Sequence, residues 1–227
     1  MEYSFNASVA LIPAFNAESS IAEVIGALGR IVEPMRVLVV DDGSTDKTSE
    51  VAATARATIV QHKTNRGKGA ALQTGFDYIR GLSNIEFILT MDADLQHRPE
   101  DVPKLFEAQQ LSNADIVVGR RSRIGTGMPI ARILSNTITS ALVGLRTGYR
   151  ISDSQCGFRL IRRCVLDRVR LESSGFEAET EFLIKSARQG FRIEFAPIHT
   201  VYAREKSHMT HWTTTVNFLK VLFREYP

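Results

Sequence analysis

Short apolar runs alternate with amphipathic stretches through the first half of the chain. β-Branched and aliphatic runs at Val9–Ile12, Arg36–Val40, Thr58–Gln61, Phe87–Met91 and Asp115–Val118 predict strands. The intervening segments Ser20–Leu28, Lys47–Ala55, Gly69–Arg80 and Glu100–Gln110 repeat their apolar positions with a helical period and predict helices. Alternation of this kind predicts parallel βαβ units: a Rossmann-like α/β fold whose mostly parallel sheet carries helices on both faces. The strand runs are nearly all apolar rather than apolar at every second residue, as burial on both faces requires.

After Gly119 the pattern changes. Arg120–Gly127 is polar, basic and glycine-containing and predicts a mobile loop. A helix is expected from Pro129 to about Leu145, a strand near Phe158–Ile161, a helix at Glu179–Gln189 and a strand at Arg192–Ala196. Of the alternate glutamates Glu177, Glu179 and Glu181, some are expected to face solvent. The polar loop Ala203–His211 leads into an apolar tail, Val216–Phe223, suited to a bilayer, to the sheet or to a partner. With no repeat or linker, one continuous domain over residues 1–227 is expected, with residues 1–118 and 119–227 as two functional halves.

Composition narrows the functional classes. A formal charge of +3, with Lys and Arg spread along the chain, argues against nucleic acid and suits an anionic substrate or a membrane surface. The N-terminus has no basic segment followed by an apolar run, so no secretory signal is expected, and no apolar stretch is long enough for a spanning helix. A cytoplasmic protein, peripheral at the membrane face, is the expectation. The two cysteines, Cys156 and Cys164, lack the pattern of a disulfide framework or a zinc site and are expected to be buried packing residues.

Two predicted strands end in acids. Arg36–Val40 runs into Asp41 and Asp42, and Phe87–Met91 runs into Asp92-Ala93-Asp94. In an open parallel sheet both pairs fall on the carboxyl edge, where ligands bind. Asp92 and Asp94 stand two apart on an extended segment and so share a face. Such a pair suits a hard cation, Mg²⁺ or Mn²⁺, completed by substrate phosphates and water, with Gln96 able to add a carbonyl oxygen. The competing reading is a helix-capping Asp94 and a solvated Asp92. An EF-hand is excluded because its glycine and final glutamate positions fall on His97 and Pro103. Asn65-Arg66-Gly67-Lys68-Gly69 lacks the spacing of a P-loop, and the turn Pro13-Ala14-Phe15-Asn16 lacks the glycines of a dinucleotide fingerprint.

The segments IPAFNAE, VLVVDDGSTDKT, NRGKGAALQTGF, ILTMDADLQHRPED, DIVVGRR, SDSQCGFRLIRR, GFEAETE and YAREKSH cover nearly the whole chain. Together they resemble family 2 glycosyltransferases of GT-A fold, in the branch of dolichyl- and polyprenyl-phosphate mannose synthases. The resemblance implies metal-dependent, inverting transfer of a hexose, mannose or glucose, from a GDP- or UDP-sugar to polyprenyl phosphate. It implies that Pro13, Asn16, Glu18 and Asp42 surround the base and ribose, with Asp41 in support and Lys68 near the nucleotide. Asp92, Asp94 and Gln96 match the metal-binding positions. Arg121, Arg132 and Arg204 match acceptor-phosphate positions; Lys206 and Ser207 share the loop of Arg204, and Asn136 replaces a serine found in some relatives.

The acceptor decides whether a base is required. A lipid phosphate is already largely ionised near neutral pH and needs cations to position it, a task that suits arginine. A saccharide or other hydroxyl would need a base, and Asp153 stands where the family's catalytic acid falls. Two further readings stay open: a sugar-nucleotide pyrophosphorylase, whose glycine-rich turn is missing after the first strand, and a non-catalytic nucleotide-binding subunit serving a partner.

Overall fold

The computed structural model describes residues 5–32, 36–122, 130–199 and 211–226, with backbone alone at residues 32, 130–132 and 211–214. Its strands are β1 (Ser8–Ala14), β2 (Arg36–Asp41), β3 (Thr58–Gln61), β4 (Phe87–Thr90), β5 (Ile116–Arg121), β6 (Arg159–Arg162) and β7 (Ile193–Ile198). Its helices are α1 (Ile21–Val32), α2 (Thr48–Thr54), α3 (Lys68–Arg80), α4 (Val102–Ser112), α5 (Ile130–Thr147), α6 (Arg163–Arg168), α7 (Ala178–Arg188) and α8 (His211–Phe223). The strands make one sheet in the order β3-β2-β1-β4-β6-β5-β7.

Burial explains the apolar runs. Val9, Ala10, Leu11 and Ile12 of β1 point alternately to opposite faces, yet none is more than 1 % exposed, so both faces are covered. All four residues of β4 are buried as well. Helix α3 packs against β1 and β2, and α4 against β5, β6 and β7. Pro13 is tolerated inside β1 because it lies past the last pairing with β4, Leu11 opposite Thr90, where no ladder bond is lost on that side.

The topology also explains how residues far apart in sequence reach one edge. Every pairing is parallel except those of β6, which runs antiparallel to both β4 and β5. The reversal brings the amino end of β6, Arg159, opposite Thr90 and Val118 at the carboxyl ends of its neighbours. The loop before β6, with Asp153 and Gly157, is thereby delivered to the edge where β4 releases Asp92. The Thr90 hydroxyl donates to the Gly157 carbonyl at 2.7 Å and fastens the two segments together.

Several expectations need correction. Arg120 and Arg121 are strand residues, not loop: β5 continues to Arg121 because β7 pairs with it through Arg120–Pro197 and Arg121–Ile198. Residues 123–127 of the expected loop lie outside the described residues. The apolar tail is part of a helix, α8. Cys156 is buried, where burial pushes its thiol up to about 12, but Cys164 is exposed. Glu179 and Glu181 are buried, because both find cations. The six-residue α6 is too short to show a periodic pattern in the sequence.

Arg159 is the largest fully buried side chain. Its guanidinium donates to the carbonyls of Cys156, Glu179 and Ser154 at 2.8, 3.0 and 3.3 Å and pairs with the Glu179 carboxylate at 2.6 Å. Truncating one partner of a buried pair strands the other, so Arg159→Met is expected to lower unfolding free energy by about 3–5 kcal/mol in urea titrations.

Candidate active site

The first wall of the site is made of two loops at the carboxyl ends of β1 and β2. Asn16 adopts a left-handed conformation, φ 50°. Its N–H reaches the Ser44 hydroxyl at 2.9 Å, and its side-chain oxygen accepts the Thr45 N–H at 2.9 Å. The Glu18 N–H donates to Asp46 and the Glu18 carboxylate accepts the Lys47 N–H, both at 3.1 Å. Asn16 and Glu18 are therefore first of all zipper residues, and exposed ones. Pro13 is half-buried in β1 beside Val40.

Asp41 and Asp42 are buried and already well supplied with donors. Asp41 accepts the Ser44 N–H at 2.9 Å and contacts the Ser49 hydroxyl and the Gln61 amide. Asp42 takes the His62 ring at 2.6 Å and the N–H groups of Arg66 and Gly67 at 2.9 and 2.7 Å. It thus folds the turn that leads to Lys68. Gly67 sits at φ 96°, and a side chain there would run into the Ser174 carbonyl, so the turn needs glycine on both counts. His62, also bonded to the Thr74 hydroxyl at 2.9 Å, escaped the sequence reading; a lone histidine at a strand end carries no pattern.

The turn places Lys68 at the start of α3, with its ammonium 2.5 Å from Asp92 and 3.0 Å from Glu179. Burial alone would lower the lysine pKa, but the two carboxylates raise it above the ordinary value. Burial alone would raise Asp92; Lys68 outweighs that and holds it down to about 2. Asp94 differs. Burial and the neighbouring Asp92 charge both raise its pKa, against which Oδ1 accepts the Gln96 N–H at 3.0 Å. Neither a solvated Asp92 nor a purely capping Asp94 describes this pair.

Asp92 and Asp94 are thus two mutually repelling carboxylates of which only one has a lysine. That arrangement fits a hard divalent cation bound through oxygen. Among the described residues no group of three or more His, Cys, Asp or Glu side chains could hold a metal by itself, so substrate and water would have to complete the shell. Nearby His97 is buried, stacked on Phe158 at 5.3 Å, and kept below its usual pKa by burial. His199 is exposed and bonded to Asp101 at 3.0 Å, away from this pair's named contacts.

The second wall comes from the other half of the chain. Arg121 grips Asp153 with two parallel bonds, Nε to Oδ2 at 2.7 Å and a terminal nitrogen to Oδ1 at 2.9 Å. Oδ1 also accepts the Gln155 N–H at 3.2 Å. The Arg121 charge contributes to lowering the Asp92 pKa, so the two walls lie within electrostatic reach. Beside Arg121 opens a cleft of about 580 Å³, lined by Arg120 and Arg150 and by the hydroxyls of Ser122, Thr137, Ser140 and Ser152. Asn136 is buried one turn before Ser140, whose hydroxyl accepts the Ser154 N–H at 3.1 Å. Arg204, Lys206 and Ser207 lie outside the described residues, and Arg132 is described by its backbone alone, on α5. Arg150 and Arg159 went unremarked in the sequence reading, although SDSQCGFRLIRR contains Arg159, and Glu179 of GFEAETE was noted only as one of three alternate acids.

Comparison with known proteins identifies this architecture. Residues 9–170 match the family model for glycosyl transferase family 2, and the chain belongs to that family. It is 34 % identical over 200 residues to an undecaprenyl-phosphate mannosyltransferase of Micrococcus luteus, covering 83 % of this chain and 81 % of the relative. A UDP-N-acetylglucosamine–dolichyl-phosphate N-acetylglucosaminyltransferase of Methanococcus voltae is 27 % identical over 236 residues, covering 94 % and 92 %. In structure the chain resembles glucosyl-3-phosphoglycerate synthase from Mycobacterium tuberculosis in complex with Mn²⁺, UDP and phosphoglyceric acid. The TM-score is 0.75 at 20 % identity, covering 96 % of this chain and 79 % of that one. The protein is a glycosyltransferase of GT-A fold, related to polyprenyl-phosphate sugar synthases.

The geometry makes a prediction about Asp42. Asp42→Ala removes the acceptor of two backbone N–H groups and the His62 ring. It should cost roughly 2–4 kcal/mol of stability in urea titration and speed amide exchange at Arg66 and Gly67.

Proposed function

We propose that this protein transfers a hexose from a nucleotide-diphosphate sugar to a polyprenyl phosphate. The observation that carries the reading is the meeting, at one sheet edge, of the Asp92–Asp94 pair with a cleft edged by Arg120, Arg121 and Arg150. Carboxylates on one side suit a cation-bound diphosphate; arginines and hydroxyls on the other suit an anionic acceptor. The names of the Micrococcus and Methanococcus relatives support the acceptor class, and the Mn²⁺ and UDP of the structural neighbour support the donor side.

Asp92 and Asp94, with Gln96 beside them, would hold Mg²⁺ or Mn²⁺, which supplies charge neutralisation for the departing diphosphate. Pro13, Asn16, Glu18, Asp41 and Asp42 form the loops that would shape the base and ribose pocket. Lys68 adds a positive charge at the diphosphate end. Arg121, with Arg120 and Arg150, would orient the acceptor phosphate in line with the anomeric carbon. Its oxygen bonds to that carbon as the bond to the diphosphate breaks, inverting the centre. Arg132, Asn136, Arg204, Lys206 and Ser207 belong to the same acceptor side by their resemblance to family positions.

The state of Asp153 favours phosphate over a hydroxyl acceptor. A general base has to reach the proton it removes, and Asp153 is 2 % exposed and held by Arg121 through both oxygens. A phosphate acceptor needs no base, so Asp153 can instead hold Arg121 in place. A peripheral seat on a bilayer agrees with this acceptor. Among the described residues no helix is long and apolar enough to cross a membrane, but Leu134, Ile138 and Leu145 of α5 and Leu219 and Phe223 of α8 are exposed. Helices α5 and α8 touch one another, and Thr137 and Ala141 of α5 line the cleft.

The test is purified protein with Mn²⁺ or Mg²⁺, a panel of GDP- and UDP-sugars, and short-chain polyprenyl phosphate. Glycolipid formation is expected, and a folded Asp94→Ala variant should lose at least about a hundredfold in rate. Transfer confined to water or saccharides would overturn the reading. Arg150→Ala should raise KM for polyprenyl phosphate about tenfold with kcat little changed, since it removes a binding charge distant from the leaving group.

A further inference from the structure

Lys68 is paired with a carboxylate that a divalent ion would use. Its ammonium lies 2.5 Å from Oδ1 of Asp92, and the pair packs over Gly157, where a Cβ would come within 2.9 Å of the ammonium and of Oδ2 and 3.0 Å of Oδ1. The Asp92 side chain is 24 % exposed, so an ion can approach it, and the lysine is the competing charge that would yield to it. Lysine is suited to such an exchange, being a compact charge on a flexible stem.

Glu179 offers the displaced charge somewhere to go. Its Oε1 is 3.0 Å from the Lys68 ammonium, yet that buried oxygen receives no well-directed hydrogen bond. The two are already an ion pair, so the lysine keeps a second carboxylate when Asp92 is taken. Glu179 itself is held fast, because Arg159 grips Oε2 at 2.6 Å and is in turn fixed by three carbonyls.

We propose that Lys68 is a positioning residue that stands in for the divalent ion at Asp92, and that Glu179 is the fixed anchor to which it withdraws when the ion binds. This rests on the metal reading above. The exchange keeps the Asp92–Asp94 repulsion partly neutralised before the ion arrives. It then leaves a positive charge at the rim of the same site, where the diphosphate lies. Ion and lysine compete for one carboxylate, and Glu179 sets the terms of that competition.

Mn²⁺ alone, followed by the electron paramagnetic resonance of the free ion, tests this without any turnover. Lys68→Met should bind Mn²⁺ at least about fivefold more tightly than the unsubstituted protein, because the competing charge is gone. Glu179→Gln should bind it more weakly, because Lys68 then leans on Asp92 alone. In the Lys68→Met background the same Glu179→Gln change should have little effect, a coupling that a double-mutant cycle reads directly. Equal or weaker binding by Lys68→Met would overturn the proposal, as would an undiminished Glu179→Gln effect in that background, which would mark simple through-space attraction. Should Glu179→Gln not fold, Glu179→Asp keeps a charge for Arg159 while drawing back from Lys68, and weaker Mn²⁺ binding is again expected. Absence of Mn²⁺ binding in every protein, with or without UDP or GDP, would instead remove the metal reading itself.

Discussion

Mutual repulsion among carboxylates at one edge of the sheet is the constraint around which the site is built. Asp41, Asp42, Asp92 and Asp94 all follow strands that end there, and each is accommodated differently. Asp41 and Asp42 are satisfied by N–H groups, hydroxyls and the His62 ring, so they organise loops. Asp92 is satisfied by Lys68. Asp94 has burial and a like charge against it, with the Gln96 N–H as partial relief. The least satisfied group is the one with most to gain from a cation, and this singles out the Asp92–Asp94 pair among four similar acids.

The reversed strand β6 links that pair to the rest of the site. Had β6 run parallel to its neighbours, the loop before it would have opened on the opposite edge, away from Asp92. Running antiparallel, it carries Asp153 toward Arg121 and sets Gly157 against the Asp92–Lys68 contact. Its first residue, Arg159, anchors Glu179, so a buried ion pair within the fold is continuous with the charges at the surface of the site. Stability and the proposed function share the same residues here. This is a reason for a guanidinium to be retained in the interior, where an apolar group would pack at lower desolvation cost.

Much of the frame was legible in the chain. Apolar runs gave away the parallel strands because strands covered on both faces cannot alternate, and Asp41-Asp42 and Asp92-Ala93-Asp94 were visible as acids at the ends of such runs. The chain was less informative where neighbours decide the outcome. Arg120 and Arg121 read as loop, since two arginines after a glycine have no strand pattern; pairing with β7 makes them strand. Among Glu177, Glu179 and Glu181 the chain did not say which face solvent, since alternate acids look alike; Arg159, Lys68 and Lys185 bury the last two.

Local order and side-chain chemistry therefore settled which elements form and which acids sit at their ends, because hydrophobic period and residue type are properties of neighbours along the chain. The partners of those acids were decided only in three dimensions. Lys68 meets Asp92, Arg121 meets Asp153 and His62 meets Asp42 across separations of 24, 32 and 20 positions, which carry no spacing rule. A charge acts on whatever the fold brings within a few ångströms of it, and sequence distance does not enter that interaction.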